Sequence, residues 1–198
     1  MKIRKLPGVV LAISVLHLFA IFTAPYTIPA GTVTDYNGRA NIIDFYDDWA
    51  ELNPYARIVY TLGDLNCHQI DSRSLYLNGN QMPVCARCTG LALGFVFGAV
   101  LFLIMIPDPD PIRMALSSVA GKKALGMSKN KLIITSTILG ILLMGPMVID
   151  GLTQATFNYE STNIIRFFTG MSFGLGFVVC LGSFLESFVY RSLYIDRI

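Results

Sequence analysis

The sequence predicts an all-α, polytopic membrane protein: four transmembrane helices, with an external Cys/His-containing segment between the first and the second. Three observations carry this. Of the 198 residues 54% are hydrophobic and only 14% are charged, whereas a soluble domain carries about 25% charged residues. Four stretches, 8–24, 89–106, 132–149 and 167–185, contain no Asp, Glu, Lys or Arg, and each is long enough to cross a hydrocarbon core about 30 Å thick. The cations fall on alternate sides of successive stretches. A mean hydropathy of +0.57 excludes a disordered chain, and a net charge of +2 is too small to announce a nucleic-acid partner. The chain, 1–198, reads as one membrane domain.

The first stretch follows Met1-Lys-Ile-Arg-Lys5 and resembles a signal peptide in its charged start and small residues after the apolar run. It is longer than the usual signal core, and Pro25 directly follows Ala24 where cleavage would fall, so a retained helix is expected. Lys2, Arg4 and Lys5, then Arg113, Lys122, Lys123, Lys129 and Lys131, then Arg191 and Arg197 share one face. By the positive-inside rule that face, with both termini and the loop 107–131, lies on the cytoplasmic side of the cell membrane. The segment 25–88 contains four arginines and no lysine against seven acids, Asp35, Asp44, Asp47, Asp48, Glu51, Asp64 and Asp71, which places it outside.

Within that segment Asp47 to Leu65 reads as a helix interrupted at Asn53-Pro54, with Trp49, Tyr55, Ile58, Val59 and Leu62 roughly on one side, as in an interfacial helix. Tyr26, Tyr36, Tyr46, Trp49, Tyr55, Tyr60 and Tyr76 would supply an aromatic belt at the boundary. Loop 107–131 opens with Pro107-Asp-Pro-Asp-Pro111, which cannot continue a helix, and reads as a connector. Gly90, Gly94 and Gly98 in the second span, and Gly170 and Gly174 in the fourth, make smooth ridges along which these two helices should pack.

The chemistry gathers on the external face. Cys67-His68-Gln69 and Cys85-Ala-Arg-Cys88 have metal-ligand spacing: the Cys-x-x-Cys turn offers two sulfurs to one ion, and a further Cys and His fill a tetrahedral zinc, or an iron, site. Asn78-Gly79-Asn80 is a turn that would fold the two halves together. Adjacent residues point in different directions, so His68 is either a ligand on irregular backbone or a proton carrier beside the ion. The same cysteines could instead form a disulfide or a redox dithiol, because Cys85 and Cys88 stand at a helix N-terminus beside Arg87. Cys180 in the fourth span reads as a packing residue, and His17 in the first as a packed or hydrogen-bonded helix residue rather than a ligand.

Asp150 closes the apolar run from Met144 and Arg166 opens the next span, so both reach the level of the cysteines. An unpaired carboxylate there is costly. Asp150 therefore needs Arg87, Arg166 or the metal, and beside a metal it could serve as general base. Arg73, Arg87 and Arg166 would suit a phosphate or carboxylate headgroup, or be ordinary interfacial arginines.

Cys67-His-Gln69, Arg73-Ser, Asn80-Gln-Met-Pro-Val-Cys-Ala-Arg-Cys-Thr-Gly90 and Pro146 to Asp150-Gly-Leu-Thr-Gln154 together resemble the membrane proteins grouped as domain of unknown function 2085, found in archaea and bacteria, over residues from about 55 to 185. The resemblance implies a multi-span membrane protein with a Cys/His site and no defined activity. The leading expectation is a metal-dependent hydrolase or transferase in the bilayer, acting on a lipid headgroup or lipid-linked substrate. Cys67, His68, Cys85 and Cys88 would hold the metal; Asp150, His68, Arg87 and Arg166 would be catalytic. A membrane thiol-disulfide oxidoreductase using Cys85 and Cys88, or a non-enzymatic transporter or sensor with a structural metal site on a four-helix bundle, are the alternatives. His-Glu-x-x-His, Gly-x-Ser-x-Gly and phosphate-loop motifs are absent from the sequence.

Overall fold

The computed structural model describes residues 5–157 and 159–194. Lys2, Arg4 and Arg197, used above to orient the chain, lie outside the described residues. Among the described residues four helices are long and apolar enough to span a membrane: α1 (Lys5–Thr23), α4 (Ala86–Ile104), α6 (Lys129–Thr156) and α7 (Asn163–Tyr194). Between α1 and α4 the chain builds a cap from α2 (Tyr46–Ala50), α3 (Pro54–Asn66) and a hairpin of β1 (Ser74–Leu77) and β2 (Asn80–Cys85). The two-residue loop of that hairpin, Asn78 and Gly79, takes positive φ of 53° and 69°, the conformation a tight antiparallel connection requires. The fold is thus an all-α polytopic membrane protein with one small two-stranded sheet in its cap.

The spans form a row, not a closed bundle. α1 packs on α4, α4 most extensively on α7, and α7 on α6. The α4–α7 seam is glycine-lined as the sequence suggests. A Cβ on Gly90 would run into the Phe167 carbonyl, and one on Gly94 into that of Met171, while Gly170 and Gly174 face the carbonyls of Arg87 and Leu91. Contacts advancing together along both helices mark a parallel pair, both leaving the cap. In α6, Pro146 removes one helical N–H, and Ser172 on α7 donates to the Leu143 carbonyl nearby at 2.7 Å.

Three expectations are corrected. Loop 107–131 is built structure: Asp110 caps α5 (Pro111–Ala120) by accepting from Ile112 N, and α5 packs on α7. Cys180 is exposed on its helix rather than packed, and His17 is exposed as well, because the neighbouring spans cover only part of each helix. The seven aromatics are not one belt, since Trp49 and Tyr60 are 1% exposed. They form the heart of the cap with Tyr36 and Phe45, at ring-centroid separations from 4.7 to 5.8 Å. The reason is Asp64, fully buried on α3, whose Oδ2 accepts the Trp49 indole N–H and the Phe45 N–H, each at 3.0 Å. That pairing pulls α2 inward onto α3.

Residues 27–45, which contain no regular element, are held by two buried amides that follow the hairpin turn. Asn80 accepts from Val33 N and donates to the Pro25 and Pro29 carbonyls. Gln81 accepts from Tyr36 N and donates to the Gln69 carbonyl at 2.6 Å. The apolar core runs from Ile21 and Ala24 at the end of α1, through Trp49, Val59 and Met82, to Ala92 in α4. The Cys67 side of the hairpin is thereby fixed to the start of α4.

Candidate metal centre

Cys67 ends α3, Cys85 ends β2 and caps α4, and Cys88 lies in the first turn of α4. The hairpin returns Cys85 to the end of α3, and the Sγ atoms of Cys67, Cys85 and Cys88 all lie within 4.8 Å of one another. A tetrahedral ion with Zn–S bonds of about 2.3 Å needs sulfurs about 3.8 Å apart, so the three can close on one ion with small side-chain movements. Cys67 is buried and the other two are half-buried.

The electrostatics suit a thiolate. Cys67 Sγ accepts the Cys85 backbone N–H at 3.2 Å. The Cys85 thiol is pulled well below its ordinary range by hydrogen bonds from Cys67 and Cys88, with help from the Cys88 and Arg87 backbone N–H groups. Its thiolate in turn pushes Cys67 up to about 11, chiefly through their shared hydrogen bond. A cation would replace the shared proton, and all three sulfurs would then ligate as thiolates. These donors fit zinc or iron.

His68 is absent from the group, and its side chain is exposed. Its neighbours explain this: the Cys67 sulfur turns inward, so the next side chain turns outward, while the His68 carbonyl accepts Gly38 N at 2.8 Å. Gln69 then takes φ of +45° and buries its amide on the Pro83 carbonyl at 2.6 Å. Of the four expected ligands the structure brings three sulfurs together and leaves His68 outside the group.

Asp150 is paired with Arg87, reaching from α6 to the first turn of α4. Its Oδ2 also accepts from Gln154 at 3.0 Å and from Ser161 at 3.3 Å. Arg87 Nε is buried without an acceptor. Arg166, 3% exposed, holds Asn163 and Glu160, each at 3.3 Å, and Glu160 also accepts from Arg73 at 2.8 Å. The Arg73 hydrogen bond, then the Arg73 charge and Arg166, hold the Glu160 carboxyl below its usual range. The polar cluster therefore ties cap, α6 and α7 together at one end of the row. Ser161 is the member the sequence did not flag, since a lone loop serine carries no pattern.

The family model described as "Predicted membrane protein (DUF2085)" matches residues 67–180. This chain belongs to the DUF2085 family. A Methanothermobacter thermautotrophicus relative, named an uncharacterized protein, is 33% identical over 114 residues, 57% of this chain and 81% of its own length. One from Methanocaldococcus jannaschii, also named uncharacterized, is 26% identical over 188 residues, 95% of this chain and 97% of its own. No solved structure matches. The DUF2085 match opens on Cys67 and contains Cys85, Cys88, Asp150 and Arg166, so the whole polar end of the row lies within it.

Proposed function

We propose that Cys67, Cys85 and Cys88 hold one zinc-type ion at the extracytoplasmic face, and that the centre acts on the headgroup of a lipid or lipid-linked substrate by metal-dependent hydrolysis or group transfer. The observation that carries this reading is the convergence of three sulfurs that no His, Asp or Glu joins among the described residues. Structural zinc sites are closed by four protein ligands, whereas catalytic ones keep a position for water or substrate. The ion when bound would supply a Lewis acid at that position.

Depth in the bilayer supports the lipid part. On α3 the residues Tyr55, Ile58, Leu62 and Leu65 form an exposed apolar stripe opposite the face packed in the cap. Tyr55 also hydrogen-bonds Thr23 Oγ1 at 2.6 Å in the last turn of α1. A helix apolar on its outer face and tied to the end of a span would lie in the interfacial layer, and Cys67 ends that helix. Arg113, Lys122, Lys123, Lys129 and Lys131 gather beyond the other end of the row, which supports the cap being outside.

In this reading partly exposed Arg87 faces an anionic headgroup, and buried Arg166 braces the site through Glu160 and Asn163. Asp150 holds the Arg87 guanidinium in place, and exposed His68 exchanges protons with solvent. Elemental analysis of detergent-purified protein, with free thiols counted, is the test. Wild type should carry about one zinc or iron ion per chain and Cys85→Ser none. No metal and two fewer free thiols would overturn the reading in favour of a disulfide or thiol-exchange pair, which the lowered Cys85 thiol would suit.

A further inference from the structure

Gln69 is 2% exposed and carries two local costs. Its φ of +45° lies in the left-handed region, which side chains other than Asn and Asp rarely enter. Its Oε1 is buried and has no donor among the described residues, and an unmade hydrogen bond at a buried acceptor is destabilising. An apolar side chain would avoid the second cost, and a glycine or asparagine the first. Costs of this kind persist where the surrounding structure uses the residue for something else.

What Gln69 does is join the two stretches of chain that carry the cysteines. Its Nε2 donates to the Pro83 carbonyl at 2.6 Å and to the Tyr60 carbonyl at 3.2 Å, and these two acceptors fix which end of the amide donates. Pro83 lies on β2 two residues before Cys85, and Tyr60 lies on α3, the helix that Cys67 ends. The Gln69 backbone carbonyl accepts Gln81 Nε2 at 2.6 Å, a second tie to β2. At Gly63, whose carbonyl accepts Cys67 N, α3 comes so close to the same strand that an added Cβ would overlap the Pro83 carbonyl. Thus α3 and β2 are held at backbone contact just where Cys67 and Cys85 leave them. Cys85 and Cys88 share the start of α4, so their separation is local. The distance from Cys67 to that pair instead depends on how α3 sits on β2. We propose that Gln69 is a positioning residue of the metal centre: its amide sets the separation of Cys67 from Cys85 and Cys88, and with it the geometry in which the ion is held. This rests on the metal reading proposed above.

Cobalt(II), whose thiolate charge-transfer and d–d absorptions report its ligands and their geometry, is titrated into the full chain in detergent under reducing conditions and then displaced with zinc. Gln69→Asn suits the left-handed backbone but is one methylene short of the Pro83 carbonyl; Gln69→Met keeps the length and loses the donors. Asn80→Leu is the control for cap stability, since it removes a buried amide of the same hairpin whose bonds run to Val33, Pro25 and Pro29 rather than to α3. Both Gln69 variants are expected to bind cobalt and zinc about tenfold or more weakly, with an altered d–d spectrum, as changes behind a ligand shell do. Asn80→Leu should lower thermal stability and keep the wild-type metal affinity and spectrum. Wild-type affinity and spectrum in a folded Gln69 variant, or equal weakening in Asn80→Leu, would overturn the positioning role and leave the metal site standing. Loss of the fold in both Gln69 variants beside a folded Asn80→Leu would make Gln69 a residue of the fold alone and overturn the role too. A wild type that takes up no cobalt would overturn the metal reading itself, and this role with it.

Discussion

Gly94→Val is expected to remove most of the folded protein, through a loss of about 3 kcal/mol or more. A Cβ at Gly94 would overlap the Met171 carbonyl, and the contact is backbone, with no flexible end to move aside. The parallel α4–α7 seam must then separate along its length, because Gly90, Gly98, Gly170 and Gly174 repeat the same close approach on either side. Between spans there is little hydrophobic drive to restore the contact, since lipid tails are as apolar as leucine; close packing itself is the stabilising term. Gly140→Val on α6 is the matched control, with nothing within 4 Å of its added Cβ. Thermal unfolding and size-exclusion profiles in detergent should show Gly94→Val lost or aggregated and Gly140→Val near wild type. Equal behaviour of the two would refute the seam.

Breaking the Arg87–Asp150 pair has the second largest effect. Asp150→Ala removes the acceptor shared by Arg87, Gln154 and Ser161, and leaves the cation with its Nε already unpartnered. Removing one member of a buried ion pair costs about 3–5 kcal/mol, and the side chains here are only 23% and 6% exposed. Asp150→Asn keeps an acceptor for Gln154 and Ser161 but not the charge, so it should fall between. Arg87→Gln combined with Asp150→Asn should recover part of the loss, because no unpaired charge remains. Chemical or thermal unfolding of wild type, Asp150→Asn, Arg87→Gln and the double variant closes that cycle. If Asp150→Asn instead leaves stability untouched, the carboxylate is free of Arg87 and its reading as a general base regains ground.

The residues differ in how far the sequence revealed their place. The glycines of α4 and α7 were legible because a spacing of four on a helix is itself a geometry, and the facing carbonyls confirm it. Cys85 and Cys88 were legible for the same reason, and Asn78-Gly79 supplied the turn that brings Cys67 to them. The cap was less legible. Trp49 and Tyr60 look like interface anchors until Asp64, distant in sequence from Trp49 and fully buried, is seen to accept its indole N–H. The irregular stretch before α2 shows no periodicity at all, since Asn80 and Gln81 hold it by hydrogen bonds that leave no repeat in the chain.

Composition and charge placement, then, determined by themselves that this chain has four spans, which helices meet along glycine, and which cysteines belong together; each is a property of local spacing or of burial in lipid, readable along one dimension. Only the tertiary structure decided that the spans form an open row, that His68 turns away from the sulfurs, that Asp150 is taken up by Arg87 and Ser161, and that the Gln69 amide joins α3 to β2. These depend on which side chains meet across distant segments, and an ion pair or a buried amide bridge has no period for a sequence to display.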